Sequence, residues 1–273
     1  MRLPCLALIA AALLQPLAAA TPPRFVGFDR NDYPGDAALP ALHRQFAFAG
    51  YWLNTPPGAK QNTWLGHRRQ LIAAGFGFLV LFNGRLQAEI QASHRKPEEL
   101  GRADAARAIA AARSEGFPNG TILFLDQEEG GRMDPDQAGY LFGWTEAVAL
   151  STYKPGAYVS GQPVLDDPGP GTITSAQDIR EKIAARHLHP ISLWVAQDAC
   201  PPAPGCVVTH PPALSSSGTP DIVAWQYAQS PRRKSITRAC AQTYGADGNC
   251  YAEDKKLFLD LNVAASDDPS HGR

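Results

Sequence analysis

Carboxylates stand where short apolar runs end. Asp29 closes the run 25–29, Asp126 and Glu128 close Phe124-Leu125-Asp126-Gln127-Glu128-Glu129-Gly130-Gly131, and Asp260 lies within Leu259-Asp260-Leu261-Asn262. An acid inside an apolar strand costs free energy unless it is paired, hydrogen-bonded or put to use. Strand alternation sets Asp126 and Glu128 on one face, about 6.6 Å apart at roughly 3.3 Å per residue, with Gln127 and Glu129 on the other. Two carboxylates that close disfavour simultaneous ionisation, which provides a proton donor beside an anion. Glycoside hydrolysis asks for such a pair: one acid protonates the leaving oxygen and the other stabilises or attacks the anomeric centre. A single strand-end acid reads as a cap or loop anchor. Acids at the corresponding ends of the first, fourth and eighth apolar runs read as a constellation. Glu129 and Asp36 read as surface or capping residues.

Aromatic residues accompany the acids. Tyr33, Tyr51, Trp52, Phe82, Tyr158, Trp194, Trp225 and Tyr227 fall at or beside the ends of apolar runs. Sugar rings present C–H faces that stack on aromatic planes, so a cleft lined this way suits a glycan. Core packing competes for each of them. Tyr51 and the same-face pair Trp225 and Tyr227 are the best cleft candidates.

The elements that must position these residues are legible as eight buried strands: 25–29, 46–53, 76–82, 121–128, 156–160, 191–197, 222–228 and 257–263. Helical patterns lie between several of them. Residues 64–74 end at Gly75, and the Ala-rich stretch 97–115 opens with Glu98 and Glu99, where a helix dipole favours acids. Segments 135–152 and 175–187 read the same way. Alternating strands and helices imply crossover units, and eight strands imply an α/β fold, an irregular (β/α)8 TIM-type barrel with helices weak or missing after the sixth strand. In such a barrel the chemistry sits at the C-terminal strand ends, where the acids fall. No linker, repeat or low-complexity tract divides residues 21–273, which read as a single domain.

Composition narrows the function classes. The 25 Lys and Arg against 26 Asp and Glu give a net charge of −1, with no overall basic field for nucleic acid. Arg2, the apolar run 6–14 and Ala18-Ala19-Ala20 follow the order of a secretory signal peptide, so residues 1–20 are expected to be removed and the protein to be secreted or periplasmic. No later stretch reaches the length of a membrane span. Cys200, Cys206, Cys240 and Cys250 remain after cleavage, an even number that favours disulfides in an exported chain. Three pairings are open, and the two local ones, Cys200 with Cys206 and Cys240 with Cys250, are favoured because each would staple its own Pro/Gly-rich loop. A metal-dependent hydrolase would rest on His187-Leu188-His189 together with the strand-end acids, but these histidines read as the C-terminal end of a helix, where a cation is favourable, so no metal and no cofactor are expected. A phosphate loop, a zinc helix and a nucleophile elbow are absent from the sequence.

Together, Gly27-Phe28-Asp29, Asp126-Gln127-Glu128, Trp225-Gln226-Tyr227 and Asp260-Leu261-Asn262 resemble family 25 glycoside hydrolases, lysozyme-type muramidases whose irregular barrel lacks helices on its last strands. The pattern is more similar to the bacterial domain-of-unknown-function family 1906, described as glycoside-hydrolase-like, from Gly27 to Asn262. The resemblance implies that Glu128 is the general acid. Asp126 would assist an oxocarbenium-like transition state or orient a substrate acetamido group, with Asp29 and Asp260 as supporting acids. Tyr51, Trp225, Gln226, Tyr227 and Tyr158 form the expected substrate-binding set. The expected partner is a glycan or cell-wall polymer, and the expected state a monomer. A non-catalytic glycan-binding or envelope module built on the same barrel is the competing reading.

Overall fold

The computed structural model describes residues 24–127, 129–167, 169–197, 211–228, 251–252 and 257–273. The expected signal peptide, Glu128 and all four mature cysteines lie outside the described residues. The first half alternates strands with helices: β1 (Phe25–Asp29), α1 (Leu39–His43), β2 (Phe48–Trp52), α2 (Arg68–Ala73), β3 (Gly77–Asn83), α3 (Gln87–Ala92), α4 (Pro97–Ser114), β4 (Ile122–Gln127), α5 (Pro135–Ala149) and β5 (Lys154–Ser160), with α1 and α3 beyond the expected helices. A two-stranded pair, β6 (Val164–Leu165) with β7 (Thr172–Ile173), and α6 (Ser175–Ala185) lead to β8 (Ser192–Ala196) and β9 (Ala224–Ala228). A second small pair, β10 (Tyr251–Ala252) with β11 (Leu257–Phe258), precedes β12 (Asp260–Ala264).

Eight strands close a barrel in the order β1-β12-β9-β8-β5-β4-β3-β2. The pairs from β1–β2 round to β8–β9 are parallel, whereas β12 is antiparallel to both β9 and β1. An antiparallel strand is entered from the end at which its neighbour leaves and needs no crossover helix. Asp260 therefore starts β12 at the barrel end where the parallel strands finish, in register with Asp29.

Large rings and glycines alternate inside the barrel. A Cβ at Gly27 would overlap the Phe48 ring, and one at Gly156 would stand 2.6 Å from Phe124. Phe48, Phe124 and Trp194 are fully buried, and the last two pack edge to face at 5.9 Å. Outside, α4 and α5 approach through facing glycines: a side chain at Gly101 would overlap the Tyr140 carbonyl, and one at Gly143 the Glu98 carbonyl.

The helix expected over 64–74 begins only at Arg68. Gly66 takes a positive φ of 85° and breaks the run. Trp64 instead packs against Tyr33 and Tyr51, and its indole donates to the Arg30 and Asn31 carbonyls.

Segment 267–273 is wedged into the barrel where β3 and β4 begin. Ser270 donates its backbone N–H to the Phe78 carbonyl, its hydroxyl accepts from the Val80 N–H, and its carbonyl accepts from the Ile122 N–H. Asp268 accepts from the backbone N–H groups of Phe78, Gly272 and Arg273. Asp268→Ala strands the buried Phe78 donor and releases the turn, so the unfolding free energy should fall by about 2–3 kcal/mol. A urea titration reads this directly, and an unchanged midpoint would show that the wedge does not support the barrel.

Candidate active site

At the end of the barrel where the parallel strands finish, a buried polar network converges on Asp29, which is 7% exposed. Its Oδ1 accepts from Asn262 Nδ2 at 2.6 Å and from Gln226 Nε2 at 3.1 Å. The far ends of both amides are fixed in turn: Tyr158 Oη donates to Gln226 Oε1 at 2.8 Å, and Trp194 Nε1 donates to Asn262 Oδ1 at 2.8 Å. Each amide thus has one orientation, with its NH2 turned to Asp29. Five strands contribute, which is why no local motif contains the network. A Cβ at Gly50 would stand 2.5 Å from the Asp29 Cβ, so glycine there makes room for the carboxylate. Gly50→Ala should lower stability by about 1–3 kcal/mol by overpacking. An unchanged urea midpoint would mean that Asp29 can yield without cost.

Asp126 is 6% exposed near the end of β4, in register with Asn83 on β3 and Tyr158 on β5. Its carbonyl accepts from the Gly84 N–H, at a spot where any Cβ on residue 84 would collide. Asp29, Asp126, Asp260, Gln226 and Tyr158 are therefore brought to one end of the barrel. The pair envisaged for Asp126 includes Glu128, which lies outside the described residues.

The three aromatic cleft candidates are not brought there. Gln226 points inward, so alternation turns its neighbours Trp225 and Tyr227 outward, where they pack edge to face and Trp225 Nε1 donates to the Gln197 carbonyl. Tyr51 also faces out. Its ring packs between Trp64, Phe78 and Phe117, and its hydroxyl donates to Glu115. Burial and that hydrogen bond together push its pKa up. The structure packs these three residues on the outer side of the barrel wall.

A cavity of about 260 Å³ opens beside Asp126, lined among others by Asn83, Arg85, Glu89, Gln127 and Glu129. Arg85 is held by Asp104, which takes its Nε at 2.7 Å and its Nη2 at 3.2 Å. Asp104, only 1% exposed, also accepts from Arg107 and from the Tyr140 hydroxyl. Burial pushes the Asp104 carboxyl up, but the hydrogen bonds from Arg85, Arg107 and Tyr140 outweigh it, and its pKa falls below the ordinary value.

Arg85, Asp104 and Gln127 have no place among the sequence candidates. Asp104 was nevertheless detectable, because it shares the apolar helical stripe of Leu100, Ala105, Ala108 and Ala112, an acid where burial is expected. Among the described residues, no group of three or more His, Cys, Asp or Glu could hold a metal ion. His189 is engaged by Glu146, whose carboxylate accepts from its backbone N–H and lies 2.9 Å from Nδ1. No helix among the described residues is long and apolar enough to cross a membrane.

A family model described as "Rv2525c-like, glycoside hydrolase-like domain" matches residues 47–200, more than half of the chain. No curated protein matches the sequence. Among solved structures, an uncharacterized protein of B. stearothermophilus is similar at 18% identity, over 88% of this chain and 95% of its own, with a TM-score of 0.55. The Tat-secreted protein Rv2525c of Mycobacterium tuberculosis, crystallised with HEPES, is similar at 12% identity over 91% of this chain and 98% of its own, with a TM-score of 0.51. A family GH25 lysozyme from Aspergillus fumigatus is more remote, at 12% identity, 89% and 94% coverage and a TM-score of 0.42. At these identities the first two share the barrel fold with this chain, and the third is too distant to carry an inference.

Proposed function

Since the chain belongs to the Rv2525c-like family of glycoside hydrolase-like domains, we propose that it is an exported glycosidase that cleaves peptidoglycan or a related amino-sugar polymer. The observation that carries this reading is the convergence of Asp29, Asp126 and Asp260, from distant parts of the chain, at the barrel end where chemistry is found in this architecture. In the proposed division of roles, Glu128 protonates the departing glycosidic oxygen. Asp126 stabilises the oxocarbenium-like centre or orients an acetamido group, and Asp29 and Asp260 support them electrostatically. Tyr158 and Gln226 hold the floor of the site through Asp29 and contribute polar contacts. Export rests on the order of Arg2, the apolar run and the Ala triplet, and is supported by the secretion of Rv2525c.

One observation favours a non-catalytic glycan-binding module instead: Asp29 Oδ1 is committed to two side-chain amides, as a structural carboxylate would be. Turnover and binding measured together separate the readings. Mature protein should release new reducing ends from peptidoglycan or chitin-type oligosaccharides, and mass spectrometry of the products names the bond. Glu128→Gln should keep glycan affinity while turnover falls about 10²–10⁴-fold, the usual worth of a general acid. Affinity without turnover in the wild type would establish the binding module.

A further inference from the structure

The cavity beside Asp126 is lined by groups that the proposed chemistry does not use. On the β4 face opposite Asp126, Gln127 is 4% exposed, and its Oε1 is buried with no hydrogen-bond partner. Glu129 accepts from the Gln87 N–H at 3.4 Å through Oε1, and its Oε2 is buried without a partner. A buried acceptor left unmet costs free energy that a ligand donor recovers.

Charge decides what kind of donor fits. Among the described lining residues, Glu89, Asp126 and Glu129 bring carboxylates to the wall, and the cation is Arg85, which is engaged by Asp104 at 2.7 Å. An anion would enter against this field. A neutral acetamide would bring one N–H and leave the negative charge uncompensated. An ammonium brings three donors and one positive charge. At about 260 Å³ the cavity falls short of a drug-sized site and suits one small moiety.

We propose that this cavity is a subsite for a primary ammonium group on the polymer, borne by an unacetylated hexosamine or by a peptide side arm, with Gln127 and Glu129 as its acceptors. The proposal deepens the glycosidase reading and rests on the same end of the barrel, but it concerns binding and needs no turnover.

Calorimetry at low salt tests it with two matched pairs: glucosamine against N-acetylglucosamine tetramers, and a disaccharide-peptide with a free side-chain amine against its N-acetylated form. The free amine should bind at least about tenfold tighter in one pair, and the pair that shows the preference identifies the source of the amine. Glu129→Gln, nearly isosteric, should cut that preference to within about threefold, as should raised salt in the wild type. Equal affinities within both pairs, or tighter binding of the acetylated forms, would overturn the proposal. The wild-type comparison stands even where the variant does not fold. Preference without cleavage of any polymer would refute the glycosidase and leave the subsite intact, whereas cleavage without preference would do the reverse.

Discussion

Asp104→Ala is expected to lower the unfolding free energy by about 2–4 kcal/mol. Removing one partner from a buried charge cluster is among the costlier single changes, at about 3–5 kcal/mol. Arg85 and Arg107 keep access to water and recover part of that, while the buried Tyr140 hydroxyl loses its acceptor. The effect must follow pH with a definite sign. The folded Asp104 pKa lies below its ordinary value of 3.8, so its contribution is complete above that value and is lost as pH falls through the folded pKa. Urea midpoints of wild type and variant should therefore differ at pH 7 and converge below pH 4. A constant gap across that range would mean that the Asp104 charge is not what stabilises the fold. The variant should also loosen Arg85 and with it one wall of the cavity, which links the helix layer to the site.

Gly143→Ala is expected to destabilise by about 2–3 kcal/mol although alanine is the better helix former. Propensity alone would favour the change by about 0.5–1 kcal/mol. Against this, the new methyl would overlap the Glu98 carbonyl and stand 2.8 Å from its Cα, so it meets backbone rather than a movable side chain. Overpacking of that kind costs about 1–3 kcal/mol or more and forces α4 away from α5. Gly101→Ala makes the reciprocal collision with the Tyr140 carbonyl and should cost a similar amount. Because both variants strain one contact, their effects should be less than additive. Thermal melts of the two single variants and the double variant check this, and a stabilised Gly143→Ala would show that the helices are farther apart than described.

The eight strands were legible because strands buried on both faces read as continuous apolar runs; each of the eight runs overlaps a barrel strand, and the run 257–263 also holds β11, which pairs with β10 outside the barrel. Three of the four helices, α4, α5 and α6, were legible through their stops, charges and apolar spacing. The fourth was half wrong, since a tryptophan can serve an aromatic cluster as well as a helix face, and Gly66 decided between them. Short elements such as α1, α3 and the pair β6 with β7 carry too few residues to show a period. The reversed direction of β12 leaves no trace in an apolar run, which reads the same either way. Segment 267–273 is polar, and its role comes from backbone hydrogen bonds that composition does not encode.

In the site, acids were legible by their cost inside apolar runs, whereas aromatic roles were not. Gln226 is the inward residue of its triplet, and the rings on either side, the more eye-catching residues, face out. A one-residue choice of face separates a cleft from a core, and only the partner groups of Gln226 fix it. Asn262 and Trp194 enter through contacts spanning 68 to 233 residues, beyond any local window.

The central claim is that acids at the end of the barrel cleave a glycosidic bond. The most direct measurement is the rate of reducing-end release from purified peptidoglycan by mature wild type, Glu128→Gln and Asp126→Asn, each checked for folding by its thermal melt. Release by the wild type that both variants lose while still binding glycan is the expected result. Folded wild-type protein that binds glycan and releases nothing, or variants that cleave as fast as the wild type, would contradict it.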